Sequence, residues 1–169
     1  MDRTRLMENW LAQCLPGKHV TLAPASADAS FRRYFRATLA DGSTRIVMDA
    51  PPSHEDCRPY LHVARLFHDA GAHVPEIHAE NLAEGFLLLS DLGSTTFLAH
   101  LESDPSEARA TPLYLDAIDA LIRIQQASRP GVLPEYDRER LLRELELFPV
   151  WYVDKHLGHA LTEAEAADL

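Results

Sequence analysis

The order of apolar patterns along the chain predicts an α+β protein in which a small sheet precedes a run of helices. Alternation typical of strands falls within residues 19–89, whereas helical spacing of apolar residues dominates after residue 93. A polar segment containing glycine, Ser90 to Gly93, separates the two patterns. We therefore expect two units, one containing the sheet over residues 1–92 and one helical over residues 93–169.

The first unit is predicted as a helix, three strands, a helix and two further strands: 6–15, 19–24, 31–39, 44–48, 53–70, 74–79 and 86–89. Asp41-Gly42 predicts a tight hairpin turn between the second and third strands. Ser53 is expected to cap the second helix, whose first turn can hold Pro59. Gly71 is then the glycine that follows the last turn of this helix.

The second unit is predicted to be helical throughout. A long helix should end before Pro130-Gly131, another covers residues 141–148, and a capping box, Thr162-x-x-Glu165, begins the last. Seven residues follow Thr162 in the 169-residue chain, which is short for a terminal helix, so we expect a truncated form of a longer protein. Apolar helix faces should then lie uncovered, for instance at Leu113, Leu121 and Leu145.

The composition argues against several classes of function. The net charge of −10 disfavours a nucleic-acid-binding surface, which needs clustered Lys and Arg. The two cysteines, Cys14 and Cys57, form no CxxC pair. No stretch approaches the roughly 20 apolar residues of a membrane span, and residues 1–15 lack the apolar run of a signal peptide. We expect a cytoplasmic protein without nucleic-acid or membrane partners.

Common catalytic and metal-binding motifs are missing from the sequence. The chain contains no HExxH, GxSxG, GxxxxGK[ST] or GxGxxG pattern. Its nine histidines show neither i,i+4 pairing on a helix nor cysteine partners at ligand spacing. Surface or core positions are therefore favoured for the histidines over a metal site.

Three segments are candidates for ligand binding, and each has a plainer alternative. The small-residue loop 25–30 can lay backbone N–H groups over phosphates, or it can be an ordinary hairpin connection. Arg33 lies on the apolar-facing side of its strand, where a guanidinium needs an anion, either from a ligand or from the following helix. Segment 87–93 is a buried strand that leads into an interdomain connection, whose backbone groups can pair with an adenine edge.

Four blocks in order along the chain resemble a known family: 27–36, 47–52, 55–59 and 85–93. They are similar to the N-terminal lobe of the aminoglycoside-phosphotransferase and protein-kinase-like superfamily. Within it they most resemble the bacterial anomeric sugar kinases, which phosphorylate N-acetylmuramate and N-acetylglucosamine during cell-wall recycling. The resemblance implies an antiparallel sheet with a helix like the kinase αC helix, followed by the first helices of a helical C-lobe.

The resemblance also implies which residues bind the nucleotide. The phosphate-covering loop would be Ser26 to Ser30, including Asp28 and Ala29. Glu55 is the candidate for the ion-pairing carboxylate of the αC-like region. Leu89 to Leu92 would be the hinge, where the Ser90 carbonyl and the Leu92 amide meet the adenine edge. ATP and Mg²⁺ are the implied cofactors and a sugar is the implied acceptor, with the metal ligands outside this chain.

The chain departs from the family pattern at the phosphate site. The superfamily places a lysine on the third strand, roughly where Met48 stands here, and the lysines of this chain are Lys18 and Lys155. Because a positive group at the phosphates is electrostatically hard to replace, we expect Arg33 on the neighbouring strand to supply it.

A second departure concerns the catalytic loop. No His-x-Asp-x-x-x-x-Asn pattern follows the hinge, and the triplet His54-Glu55-Asp56 precedes it. No catalytic residue is therefore assigned, and we expect the 169 residues to be inert on their own. Two alternatives stay open: a non-catalytic module that binds nucleotide or protein, and a kinase for an aminoglycoside, choline or fructosamine-type acceptor.

Overall fold

The computed structural model describes residues 2–27, 30–104 and 106–168, and it confirms the α+β class. The strands are β1 Val20–Ala27, β2 Arg33–Leu39, β3 Thr44–Asp49, β4 Ile77–Asn81 and β5 Phe86–Ser90. They form one antiparallel sheet in the order β1-β2-β3-β5-β4. The helices are α1 Arg3–Cys14, α2 Cys57–Asp69, α3 Phe97–Ser103, α4 Glu107–Ala127, α5 Arg138–Leu145 and α6 Glu163–Asp168, with a π-helical segment, Phe148–His156, before the last.

Each face of the sheet packs against a different helix. Helix α1 covers one, here called the α1 face, through a buried cluster of α1 and strand residues: Met7, Trp10, Leu11, Ala37, Val47, Phe86 and Leu88. Helix α2 covers the other, the α2 face, through a second cluster: Met48, Ala50, Cys57, Leu61, Leu87 and Leu89. Tyr34 pairs with Met48 and Phe35 with Val47, so neighbouring residues of β2 alternate between the faces as predicted.

The first strand is longer than predicted. Its pairing with β2 continues past Pro24, through a bulge before Ser26, until Ala27 lies opposite Arg33. Bulges let a strand bend without ending its ladder, and the period of the side chains does not reveal them. Ser26 therefore belongs to β1 and not to the loop that follows.

The second helix begins later than predicted. It starts at Cys57, and the Asp56 carboxylate accepts the Arg58 N–H at 3.0 Å, so Asp56 replaces Ser53 as the cap. Pro59 is the third helical residue, as the prediction of a first-turn proline requires. The helix ends before Gly71, whose φ of 77° confirms the expected glycine at its end.

Other turn and cap predictions are confirmed. The Leu39 N–H donates to the Ser43 carbonyl across the Asp41-Gly42 turn. At the last helix, the Thr162 N–H donates to Glu165 Oε2 at 2.9 Å, and the Glu165 N–H donates to Thr162 Oγ1 at 3.3 Å. This reciprocal pair is the predicted capping box.

The chain divides into two compact units, residues 1–127 and 128–169. The first contains the sheet and helices α1 to α4, and the second contains the remaining helices. The predicted boundary at residues 92 and 93 follows the change from strands to helices and stays a prediction. Leu121 and Leu145 are exposed, as expected, whereas Leu113 is half-buried. None of the described helices is long and apolar enough to cross a membrane.

Candidate functional site

A cavity of about 500 Å³ lies on the α2 face of the sheet, within the first compact unit. Strands β1, β2 and β3, helix α2 and the segment after β5 all contribute to its wall: Ala25, Ser26, Tyr34, Arg36, Ile46, Tyr60, Pro75 and residues 89–96. The wall combines apolar side chains with polar backbone and side-chain groups, which is the usual make-up of a small-molecule site.

Four of the predicted nucleotide-binding residues meet at this cavity: Ser26, Leu89, Ser90 and Leu92. Residues 89–92, the predicted hinge, form one wall. Glu76, the residue just before β4, holds the hinge, because the Ser90 N–H donates to the Glu76 carbonyl at 2.9 Å and Ser90 Oγ accepts the Glu76 N–H at 2.8 Å. The start of the hinge is therefore anchored from the side away from β3.

An ion pair anchors the far end of the hinge. Arg36 Nε donates to Asp91 Oδ2 at 2.6 Å, and Arg36 Nη2 donates to Asp91 Oδ1 at 3.2 Å and to the Gly93 carbonyl at 3.2 Å. The hydrogen bond from Arg36, together with the Gly93 N–H, lowers the pKa of the nearly buried Asp91 carboxyl to about 2.

The end of the β1–β2 connection is attached to the segment before α2. Glu55 Oε1 accepts the Phe31 N–H at 3.2 Å, and the Phe31 ring stacks on His54 at 4.4 Å between centroids. Glu55 thus precedes the helix in which a kinase αC carboxylate would lie. Ser30 Oγ accepts both the backbone N–H of Arg32, at 3.2 Å, and its Nε, at 3.0 Å. Asp28 and Ala29 lie outside the described residues.

Met48 is a core residue. It faces α2, is almost fully buried, and belongs to the cluster that contains Cys57 and Leu61. A methionine at this point fills apolar space between the sheet and α2. The position roughly equivalent to the family's lysine therefore contributes packing and no positive charge.

Arg33 lies on the α1 face, opposite the cavity. Its Nε donates to Asp49 Oδ2 at 3.0 Å, and Arg3 Nε donates to Asp49 Oδ1 at 2.6 Å. Asp49 is fully buried, so the two guanidinium groups supply the partners that its charge requires. The anion that Arg33 meets in this structure comes from the adjacent strand β3 and not from the following helix, while the expected contact of Arg33 with a ligand stays a prediction.

These features can be compared with known proteins. Residues 21–169 match the phosphotransferase enzyme family. The chain belongs to this family. It is 48% identical over 162 residues to the N-acetylmuramate/N-acetylglucosamine kinase of Neisseria meningitidis, which covers 96% of this chain and 48% of that protein. It is 49% identical over 166 residues to the kinase of the same name from Pseudomonas aeruginosa, covering 92% of this chain and 48% of that protein.

A more distant relative has the same name. The kinase of Caulobacter vibrioides is 34% identical over 137 residues, which covers 65% of this chain and 36% of that protein. The chain spans about half the length of the first two relatives. The five-stranded sheet and the two helices that cover it agree with the kinase-like N-lobe expected for the family.

Several residues of this cavity were not identified from the sequence. Tyr34, Arg36 and Tyr60 line it, and Asp91 fixes its hinge, yet none was predicted to contact a ligand. The signal was available in part, because β2 alternation puts Tyr34 and Arg36 on the face opposite Arg33. The pairing of Arg36 with Asp91, 55 residues later, leaves no local pattern.

The described residues of this chain offer no clear site for a metal ion. Across residues 2–27, 30–104 and 106–168, no group of three His, Cys, Asp or Glu side chains is placed to hold one. We therefore assign no step to Mg²⁺ through these residues.

Proposed function

We propose that this chain provides the ATP-binding part of a kinase that phosphorylates an amino sugar, N-acetylmuramate or N-acetylglucosamine. The observation that carries the proposal is the cavity bounded by the hinge, in a chain whose relatives are named as kinases of these sugars. The proposal further assigns the anomeric hydroxyl as the acceptor, cell-wall recycling as the process and the cytoplasm as the location.

In this proposal the adenine lies against the hinge. Ile46 and Leu89 present apolar surface to the ring, while the Ser90 carbonyl and the Leu92 N–H meet its polar edge. The phosphates then extend toward Ser26 near the end of β1 and toward Ser30 in the β1–β2 connection. Mg²⁺ bound with ATP would neutralise phosphate charge during in-line transfer to the sugar.

Titration of the chain with Mg-ATP by calorimetry tests the nucleotide half of the proposal. A Leu92→Pro variant removes the backbone N–H, and we expect the Kd for ATP to rise about tenfold, the loss of one buried hydrogen bond. Leu92→Ala keeps that N–H and is the matched control, for which we expect a change below about threefold. Equal ATP affinity in both variants, with wild-type folding by circular dichroism, would refute the hinge assignment.

The acceptor requires a separate measurement. A full-length family member can be supplied with N-acetylmuramate, N-acetylglucosamine, an aminoglycoside or choline while ADP release is followed. We expect turnover with the two amino sugars only, because the relatives are named as kinases of N-acetylmuramate and N-acetylglucosamine. Preferential turnover of the aminoglycoside or choline would move the proposal to another acceptor class.

A further inference from the structure

The turn formed by residues 91–93, here called the hinge turn, is held by one arginine from a distant strand. Two bonds join Arg36 to the Asp91 carboxylate and a third joins it to the Gly93 carbonyl. Asp91 Oδ1 also accepts the Gly93 N–H at 2.9 Å, which closes the turn on itself. Leu92 stands between these two anchored residues.

The pair is well placed to persist in solution. The Asp91 side chain is only 5% exposed and the Arg36 side chain 29% exposed, so water competes weakly for their bonds. A two-point contact between guanidinium and carboxylate fixes direction as well as distance. Thr44 on β3 also contributes to the lowered pKa of Asp91.

Without the contacts from Arg36, a turn of this composition would be mobile. Gly93 has a φ of 95°, and it is followed by the small polar residues Ser94 and Thr95. Ordering a flexible backbone residue costs about 1–2 kcal/mol, which a ligand must otherwise supply when it binds. A turn ordered in advance spares the ligand this cost.

We propose that Arg36 is a positioning residue for the nucleobase: through Asp91 and Gly93 it holds the hinge turn in the form that presents the Leu92 backbone to the base. This assignment rests on the proposed function, because it takes the cavity to be the adenine pocket. Arg36 is not a phosphate ligand in this assignment, since its Nε and Nη2 are committed to the hinge turn.

Three ligands distinguish a role of Arg36 in positioning the nucleobase from a role in binding the phosphates. Calorimetry with ATP, adenosine and inorganic tripolyphosphate is compared between the wild-type chain and Arg36→Met, which keeps most of the apolar stem and removes the guanidinium. We expect the Kd values of ATP and adenosine to rise by the same factor, about tenfold, while tripolyphosphate binding is unchanged. Unchanged adenosine affinity, or a parallel loss of ATP and tripolyphosphate binding, overturns the positioning role.

A matched control removes an arginine–carboxylate pair elsewhere in the same unit. Arg65 on α2 bonds Glu80 at 3.2 Å and does not line this cavity, so Arg65→Met should leave all three affinities unchanged. In wild type and Arg36→Met, the backbone amide signals of Leu92 and Gly93 are followed by NMR. We expect both signals to shift, and the Gly93 amide, which bonds Asp91, to lose exchange protection while the β5 amides keep theirs.

A second variant keeps the test decisive if Arg36→Met folds poorly. Asp91→Asn retains an oxygen for the Gly93 N–H but loses the charged pair, and it should weaken ATP and adenosine binding together by about threefold. Equal affinity in a folded Asp91→Asn chain overturns the assignment. A wild-type chain that binds neither ATP nor adenosine overturns the proposed function as well, whereas wild-type binding that survives Arg36→Met overturns the positioning role alone.

Discussion

Arg32 and Arg33 are adjacent in sequence but act on opposite faces of the sheet. Arg33 pairs with the buried Asp49 on the α1 face. On the α2 face, burial raises the pKa of the Tyr60 hydroxyl, and the positive charge of Arg32 acts against that rise. Tyr60 lines the cavity, so the charge of Arg32 acts on a residue of the cavity wall, whereas Arg33 pairs with Asp49 on the α1 face. Arg32 is therefore the better candidate for the positive group at the phosphates.

Single substitutions at these two positions should give opposite results. We expect Arg32→Ala to raise the Kd for ATP about tenfold, through loss of a charged contact, with a small change in stability. Arg33→Ala should change ATP affinity less than about twofold but lower the free energy of unfolding by about 2 kcal/mol, because Asp49 stays buried with one partner fewer. Calorimetry and urea unfolding measure both effects. A larger loss of ATP affinity in Arg33→Ala than in Arg32→Ala would return the phosphate-binding role to Arg33.

Asp91 should make stability depend on pH in acid. Its folded-state pKa of about 2 lies below the ordinary value of 3.8, chiefly because Arg36 bonds its charged form. The stabilisation is therefore complete above about pH 4 and is lost as the pH falls toward 2. At pH 6 the free energy of unfolding of the wild type should exceed that of Asp91→Asn by about 1–2 kcal/mol, and this difference should shrink by pH 2. Urea unfolding at both pH values checks this, and a constant gap would contradict it.

At the scale of elements, most of the sheet was predictable because strand alternation and turn residues are local signals. The boundaries that were wrong depend on distant partners: β1 continues to Ala27 only because β2 pairs with it through a bulge. The same limit applies to the cavity. The hinge was expected from the family resemblance of residues 85–93, whereas the Arg36–Asp91 pair joins residues 55 positions apart and leaves no such block in the sequence.

The β4–β5 turn depends on a glycine for two reasons. Gly85 has a φ of 72°, and a Cβ added there would stand 1.9 Å from the Ala50 carbonyl oxygen. Its own carbonyl accepts the Ala50 N–H at 2.8 Å, so the two backbones cannot separate without losing that bond. The turn is thus hydrogen-bonded to Ala50, the residue that follows β3.

Alanine substitution at two glycines distinguishes the cost of a positive φ from the cost of a steric clash. Gly42 has a φ of 81° but no atom within 4 Å of an added Cβ, so Gly42→Ala should cost only about 1–2 kcal/mol of backbone strain. Gly85→Ala adds a backbone clash, and we expect a loss of about 3 kcal/mol or more in the free energy of unfolding. Urea titrations of the two variants give the comparison. Equal losses would mean that the Gly85 backbone can shift away from Ala50.

At the scale of the whole molecule, helix α4 carries an uncovered apolar stripe. Five of its side chains recur at helical spacing and are 41–61% exposed: Tyr114, Leu115, Ile118, Leu121 and Ile122. Contiguous apolar surface of this kind is uncommon on a monomer and favours association. Leu121 was expected from the sequence to lie uncovered, and it is 51% exposed.

We expect this stripe to make the chain associate with itself. Light scattering after size exclusion should give a mass above that of the monomer, rising with concentration. Leu121→Glu places a charge in the middle of the stripe and should restore the monomer mass, because a carboxylate resists burial in an apolar contact. Asp116→Lys changes a charge outside the stripe on the same helix and should leave association intact. A wild-type chain that stays monomeric at millimolar concentration, or association equal in both variants, would show that the stripe drives no contact.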